Sequence, residues 1–276
     1  MIGLVLGDTQ IGVLIIKKLK SLKINYTIID ISKKKIFKKE KNSHAISIGQ
    51  LGKTIKILKK NKCKNIIFAG RVTRPSFVSA KFDLKALYYL PKIIKGSKKG
   101  DAYIIKEIIK IFSKEKLKVI SQIYFNPELS LKNGTYTKQK VDSLSKKNII
   151  IGKRIISDLK DNNVGQAVVV SNNRIIAVED KNGTDFMLTR AEKILKSLNK
   201  KNKREGILLK FPKTNQDLRI DLPTIGIKTV VKCAKIGLRG IVLRSKKNIF
   251  LDKNKIIKYA NKNKMFITVQ WKKFLF

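Results

Sequence analysis

Histidine is almost absent from this chain of 276 residues, in which His44 is the only one. Catalytic triads and dyads that use histidine as the base are therefore excluded, and so are metal sites and two-metal phosphoesterases that need several histidine ligands. Cysteine is nearly as scarce, because Cys63 and Cys233 stand alone, without a ligand or disulfide spacing. We expect both thiols to be reduced and buried, as in a cytoplasmic protein.

Long apolar runs and acidic residues are also in short supply. No run of about 18 apolar residues occurs, so the sequence predicts no membrane-spanning helix. The chain starts with the strand-like "IGLVLG" instead of a basic segment followed by an apolar one, which argues against a cleavable signal. Only 19 acidic residues oppose 63 basic ones, which gives a formal net charge of +44.

The excess of positive charge has two interpretations. Nine of the basic residues are arginine and 54 are lysine, and the lysines are spread along the whole chain. Abundant lysine, asparagine and isoleucine are what AT-rich codons produce, so the charge is interpreted as compositional and solvated. The alternative is a polyanionic partner such as nucleic acid. Aromatic residues make up only 7% and are not interleaved with a basic stretch, which disfavours nucleic-acid binding.

Strand and helix patterns alternate in the first half of the chain, which predicts a parallel sheet with crossover helices. A Rossmann-like domain is therefore expected over residues 1–130. A segment rich in Pro, Asn and Gly at 124–138 marks its end. The expected strands are 2–7, 24–30, 65–70 and 116–120, and the expected helices are 12–22, 50–60, 81–95 and 100–113.

A distinct C-terminal α/β domain is expected over residues 131–276. Its pattern predicts a long helix at 141–161 and a β-hairpin at 165–180 that turns at Asn172 and Asn173. A helix capped by Thr184 or Asp185 and a strand at "GILLKF" follow. Pro223 is predicted to open another helix, because a proline at a first-turn position loses no hydrogen bond.

Two groups of residues in the first domain are candidates for ligand binding. The glycines of the first loop, Gly3, Gly7 and Gly12, do not form the G-x-G-x-x-G fingerprint of dinucleotide enzymes, so a tight turn and a ligand contact both stay open. Arg71 and Arg74 follow a predicted strand in a chain where lysine is the usual cation. Arginine there indicates a bidentate partner such as phosphate, with a structural ion pair as the alternative.

Two polar segments of the second domain are also candidates. "EDKNGTDFMLTR" places Thr184 and Asp185 at a helix start, which could bind an anion or could simply cap the helix. "KTNQDLRIDLPTIG" carries Asp217 and Asp221 four residues apart. Two carboxylates at this spacing could share a divalent cation with water and phosphate oxygens, and helix capping is the alternative.

Together, "FAGRVTRPSF", "KGDA", "VGQAVVV", "AVEDKNGTDFMLTR" and "KTNQDLRIDLPTIGIKTV" closely resemble the I-type UDP-2,3-diacylglucosamine pyrophosphatases of lipid A biosynthesis, in family order. The resemblance implies hydrolysis of UDP-2,3-diacylglucosamine to UMP and 2,3-diacylglucosamine 1-phosphate with a divalent cation, Mg²⁺ or Mn²⁺. It also implies a Rossmann-like N-terminal domain and a distinct C-terminal domain. The first loop is poorer in glycine than in the family, and Arg71 stands where Asn is frequent.

The resemblance assigns catalysis to Asp221. We expect Asp221 and Asp217 to be the metal ligands, because their spacing would allow them to share the cation. It implies a cytoplasmic enzyme, peripheral to an anionic inner membrane, that binds the substrate and its lipid product but no nucleic acid, with a homodimer as one option. The rival interpretations are a Rossmann-type nucleotide-sugar or NAD(P)-binding enzyme and a basic nucleic-acid-binding protein. The expected substrate contacts are Gly7, Gly70, Arg71, Val72, Arg74, Gln166, Thr184, Asp185, Arg190, Gln216, Arg219 and Thr224.

Overall fold

The computed structural model describes residues 1–72, 81–97, 100–158, 165–198, 204–213 and 216–270. The chain forms two compact units. The first contains Met1–Pro127 together with Asp217–Asp221, and the second contains Glu128–Gln216 and Leu222–Phe276. The sequence suggested one change of domain near residue 130 and gave no sign that the short segment 217–221 belongs with the N-terminal unit.

The N-terminal unit is a five-stranded, all-parallel sheet with the strand order β3-β2-β1-β4-β5. All five residues of β1 are buried, as expected for a parallel strand covered on both faces. The predicted Rossmann-like domain is thereby confirmed. Its elements are β1 (Ile2–Leu6), α1 (Gln10–Ser21), β2 (Tyr26–Asp30), β3 (Ser43–Ala45), α2 (Leu51–Lys60), β4 (Asn65–Ala69), α3 (Leu84–Ser97), α4 (Asp101–Lys114) and β5 (Lys118–Val119).

The C-terminal unit contains a six-stranded mixed sheet with the order β6-β13-β11-β9-β7-β8 and a two-stranded ladder of β10 and β12. Strands β9, β11 and β13 are parallel. Its elements are β6 (Gly134–Thr135), α5 (Ser143–Asp158), β7 (Ala167–Ser171), β8 (Arg174–Val178), α6 (Thr184–Leu198), β9 (Ile207–Lys210), β10 (Thr224–Ile225), α7 (Ile227–Lys235), β11 (Gly240–Arg244), β12 (Ile249–Phe250), α8 (Lys253–Lys262) and β13 (Phe266–Gln270).

The two faces of this sheet have separate apolar cores. Leu208 and Leu243 belong to the core that α6, α7 and α8 cover, whereas Leu209 belongs to the core on the α5 face. Side chains alternate along a strand, and Lys210 is in register with Leu243. Lys210 therefore projects toward the face of α6 and α7, although the strand around it is apolar.

The hairpin of β7 and β8 turns where the sequence predicted. Asn172 and Asn173 have φ values of 48° and 60°, and both residues are in the left-handed region. Such a turn matches the twist of the paired strands, and asparagine tolerates its backbone better than most residues do. The predicted hairpin is confirmed.

The predicted helix start at Pro223 is wrong. Thr224 and Ile225 instead form β10, which pairs in parallel with Ile249 and Phe250 of β12. Gly226 then adopts an extended backbone as the N-cap, and α7 begins at Ile227. The partner strand lies about 25 residues away in sequence, so local periodicity carried no sign of it. Asp221 consequently does not stand at a helix N-terminus.

Four helices end in the same way. Lys23, Lys62, Lys116 and Lys264 follow the C-caps of α1, α2, α4 and α8, and their φ values lie between 51° and 61°. In each case the next N–H donates to a carbonyl five residues earlier, as Ile24 does to Leu19 at 3.0 Å. Glycine is the usual residue at such a position.

Candidate functional site

The order of the N-terminal strands reverses between β1 and β4, and ligands of open α/β sheets bind at the carboxyl ends of such strands. Gly7 follows β1 there, and its N–H donates to the carbonyl of Ala69 at 2.9 Å. A Cβ on Gly7 would lie 2.3 Å from the carbonyl oxygen of Arg71, and Gly70 has a φ of +95°. The two loops can therefore approach each other only because both residues are glycine.

Four of the predicted contact residues meet at this edge. Arg71 has an exposed side chain, and its carbonyl accepts the N–H of Asp8 at 2.8 Å. The side chain of Val72 lies beside Gly7, since an added Cβ there would be 3.1 Å from Val72 Cγ2. Gly7, Gly70, Arg71 and Val72 thus share one small surface, while Arg74 lies outside the described residues.

The segment of Asp221 is fixed to the N-terminal unit through Gln122, which follows β5. The N–H of Gln122 donates to the carbonyl of Arg219 at 2.9 Å, and its Nε2 donates to the carbonyl of Ile220 at 2.8 Å. The side chain of Ile220 packs against the core of that unit. Gln122 is only 3% exposed, so these two bonds form in a buried, well-defined place.

Asp217 forms a bidentate ion pair with Arg219. Arg219 Nε donates to Asp217 Oδ1 at 3.0 Å, and Nη2 donates to Oδ2 at 2.7 Å. The backbone N–H of Arg219 also donates to Oδ1 at 3.0 Å. The hydrogen bond from the Arg219 side chain, above all, holds the pKa of Asp217 below its usual range. Both carboxylate oxygens of Asp217 are engaged by this arginine.

Asp221 lies one turn further along the same segment. Its N–H donates to the carbonyl of Asp217 at 2.9 Å, and the residue is half-buried. Within the described ranges no three His, Cys, Asp or Glu side chains are gathered as a metal site. Mg²⁺, however, is commonly held by one or two carboxylates, with phosphate oxygens and water completing its shell. The carboxylate of Asp221 is a candidate for that role, and Asp217 could take it only after releasing Arg219.

A second group of predicted residues surrounds a buried charge network in the C-terminal unit. Lys210 is 7% exposed, and its Nζ donates to Thr184 Oγ1 at 2.8 Å and to the carbonyl of Thr224 at 3.2 Å. The Thr184 hydroxyl in turn donates to Oε1 of Glu179, which is 5% exposed. An ammonium, a hydroxyl and a carboxylate therefore form a continuous chain inside the unit.

Gln166 and Gln216 extend this network. The backbone N–H of Gln166 donates to Glu179 Oε2 at 2.7 Å, and Gln216 Nε2 donates to Gln166 Oε1 at 3.1 Å. Gln216 Oε1 accepts the N–H of Lys213 at 2.9 Å, which closes the polar loop on itself. The structure thus brings together four predicted residues, namely Gln166, Thr184, Gln216 and Thr224.

Arg190 and Asp185 have other surroundings. Arg190 Nη2 donates to the carbonyl of Val178 at 2.7 Å and lies 3.1 Å from the carboxylate of Asp180, so this arginine ties α6 to the end of β8. Asp185 is exposed, and its carbonyl accepts Lys232 Nζ at 2.6 Å. Substrate contacts by these two residues stay predictions.

Sequence reasoning missed Glu179, Lys210 and Gln122. Glu179 is one of only 19 acidic residues and directly follows a strand, and Lys210 ends the apolar run "ILLK". Each of the two residues lies at the carboxyl end of its strand, Glu179 after β8 and Lys210 at the end of β9. In a chain with 54 lysines, however, no single lysine stands out.

Comparison with known proteins assigns the chain to a family. A family model of the LpxI N-terminal domain matches residues 1–129, and one of the LpxI C-terminal domain matches residues 132–268. The chain belongs to the LpxI family. It is 30% identical over 223 residues to the "UDP-2,3-diacylglucosamine pyrophosphatase LpxI" of Caulobacter vibrioides, a match that covers 80% of each chain. The resemblance carried by the five sequence segments is confirmed.

Proposed function

We propose that this LpxI-family protein hydrolyses the pyrophosphate bond of UDP-2,3-diacylglucosamine and releases UMP and 2,3-diacylglucosamine 1-phosphate for lipid A biosynthesis. Membership of the family over almost the whole chain carries the proposal. The fixed position of the Asp221 segment at the carboxyl edge of the N-terminal sheet is consistent with it, since that is where ligands of such sheets bind.

Hydrolysis of a pyrophosphate needs neutralisation of charge and a positioned water molecule. The oxygen of water forms a bond to one phosphorus, the bridging oxygen leaves with the other phosphate, and the two protons of water pass to solvent as both phosphate products ionise. In the proposal the Asp221 carboxylate orients this water or the cation beside it. Arg71, with its exposed guanidinium, binds a phosphate oxygen.

The cation in the proposal is Mg²⁺ or Mn²⁺, with Asp221 as its protein ligand. When bound, such an ion supplies positive charge next to the phosphate oxygens. Asp217 as a second ligand is part of the same proposal and requires Arg219 to turn away from it. Substitution of Asp217 tests this role separately. If Asp217 only holds Arg219 in position, its substitution should leave the metal dependence of turnover unchanged.

A substrate with two acyl chains resides in a membrane, so the proposal also places the protein at the cytoplasmic surface of the inner membrane. No helix in the described part of the chain is both long and apolar enough to cross a membrane. The proposed contact is therefore peripheral and is favoured by the net charge of +44. A homodimer is an optional part of the proposal, which light scattering tests.

The decisive experiment is release of UMP from UDP-2,3-diacylglucosamine with Mg²⁺. Asp221→Ala and Asp221→Asn should fold and lose at least about a hundredfold in kcat, while EDTA should abolish turnover of the wild type and Mn²⁺ should restore it. Glu107→Gln, which replaces a carboxylate on α4 paired with Lys110, is the matched control. Full activity of the Asp221 variants would remove this residue from the mechanism.

Two further measurements sharpen the proposal. Turnover in ¹⁸O water shows by the position of the label whether the phosphorus of UMP or that of the sugar phosphate is attacked. The strand order 3-2-1-4-5 is also that of dinucleotide-binding domains, so NAD(P) is a fair rival ligand. Strong thermal stabilisation by NAD(P) with no release of UMP would favour that rival.

A further inference from the structure

Helix α3 exposes an apolar face. Leu84 is 87% exposed and Tyr88 is 70% exposed, and Leu87 and Ile94 are 48% and 40% exposed. Leu87 and Tyr88 follow Leu84 by three and four residues, and Ile94 follows Leu87 by seven, so the four residues lie on one side of the helix. The opposite side carries Tyr89, which is buried in the core of the N-terminal unit. Helix α3 is therefore packed against the core on one side and exposes apolar residues on the other.

Exposed lysines lie close to this face in the sequence. Residues 81–114, which include α3 and α4, contain nine lysines and three acidic residues. Lys92 and Lys95 lie on α3 itself with exposed side chains, and Lys81 is exposed just before the helix. Lys85 is an exception, since it pairs with Glu115. Apolar and aromatic side chains bordered by lysines on one helix are typical of segments that lie in the surface of an anionic membrane.

We propose that the exposed face of α3, formed by Leu84, Leu87, Tyr88 and Ile94, docks the protein on an anionic lipid bilayer. The inference deepens the proposed function and rests on it, because a lipid substrate must be taken from a membrane. The leucine and isoleucine side chains enter the border of the acyl region, Tyr88 lies at the level of the head groups, and the lysines contact lipid phosphates.

Charge separates a bilayer from the other obvious occupant, a second copy of the chain. A symmetric dimer would bring this face against itself, and with it two identical sets of excess lysines. Like charges brought together disfavour that contact, whereas an anionic bilayer attracts both sets of lysines. An apolar face with an excess of lysines near it therefore fits an anionic bilayer better than it fits a second copy of the same surface.

The test is flotation of the purified full chain with vesicles of phosphatidylglycerol and phosphatidylcholine, or of phosphatidylcholine alone. The variant is Leu84→Gln with Tyr88→Gln. Its control is Val13→Gln with Leu22→Gln, which replaces two apolar side chains, 51% and 48% exposed, on α1 and at its C-cap. Wild type and control should bind the anionic vesicles, more weakly at high salt. The α3 variant should lose at least about tenfold in binding and keep its turnover of detergent-dispersed substrate.

Several results would overturn the docking proposal. These are equal binding of anionic vesicles by the α3 variant and the wild type, and no binding by the wild type itself. Lost turnover in detergent with vesicle binding intact would instead assign the face to the acyl chains of the substrate. Conversion of a dimer to a monomer in the α3 variant would assign it to a second copy. If no preparation released UMP but vesicle binding still depended on α3, the proposed function would fail and the docking proposal would stand.

Discussion

The buried chain of Lys210, Thr184 and Glu179 allows one prediction to be worked through in detail. Lys210→Met keeps most of the length and apolar volume of the side chain but removes the ammonium group. Two hydrogen bonds from that group would be lost, to Thr184 Oγ1 at 2.8 Å and to the carbonyl of Thr224 at 3.2 Å. The carboxylate of Glu179, 5% exposed, would remain without the cation that faces it through the hydroxyl.

The expected cost follows from these contacts. A hydrogen bond from a charged group contributes about 1.5–3 kcal/mol, and recovery of the desolvation energy of Lys210 offsets part of the loss of two such bonds. Leaving one member of a buried ionic group behind typically costs about 3–5 kcal/mol. We therefore expect Lys210→Met to lower the free energy of unfolding by about 3 kcal/mol.

Urea unfolding at pH 7, followed by circular dichroism, measures this change. Lys232→Met is the matched control, because Lys232 Nζ also makes two hydrogen bonds, at 2.6 Å each, but in an exposed place. That control should cost no more than about 0.5 kcal/mol. Lys210→Met combined with Glu179→Gln should cost at least about 1 kcal/mol less than the sum of the single changes, since both belong to one network. Equal stability of the two Met variants, or additive single changes, would refute the reasoning.

Three other predictions concern single features. Gly70→Ala should destabilise the protein by about 2 kcal/mol in urea, because φ is +95° and the new Cβ would lie 2.8 Å from the backbone of Gly7; unchanged stability would contradict the close approach. Arg219→Gln should raise the pKa of Asp217, and the lost stability, about 1 kcal/mol, should be seen above about pH 4 and should vanish as pH falls through the folded pKa. A pH-independent loss would mean that the carboxylate is not the partner. Burial raises the pKa of Cys233 to about 12, so iodoacetamide should alkylate it in the native protein far more slowly than a free thiol; mass spectrometry showing rapid labelling would disprove its burial.

The Rossmann-like half of the fold was predictable because its signals are local. Strand and helix patterns alternate, and each short run of apolar residues is confined to one element. The hairpin turn at Asn172 and Asn173 was predictable for the same reason, since its backbone depends on those two residues. The helix start expected at Pro223 failed because the pairing of Thr224 with Ile249 involves a distant strand, which a local pattern does not report.

The residues of the candidate site fall into the same two groups: those that local sequence signals identify and those whose roles depend on contacts distant in sequence. Asp221 and Arg71 could be singled out because an acid and an arginine are unusual in a chain rich in lysine. Lys210 could not, since its importance depends on burial beside Thr184 and Glu179, which only the folded sheet brings about. Gln122 was missed because its role is to hold the backbone around Ile220, 98 residues later.

The lysines that end four helices show how composition reaches the backbone. A left-handed conformation costs a residue with a side chain about 1 kcal/mol relative to glycine. The C-cap of α7, Ile236, is followed by Gly237, so this helix avoids that cost. If mutational pressure toward AT-rich codons removed glycines from the ends of α1, α2, α4 and α8, the protein is less stable than it would be with glycine there. The loss of stability would then be spread over positions away from the candidate site. Glycine at positions 23, 62, 116 and 264 should then raise the free energy of unfolding. The size of that increase would show how much AT-rich codon usage has destabilised the fold.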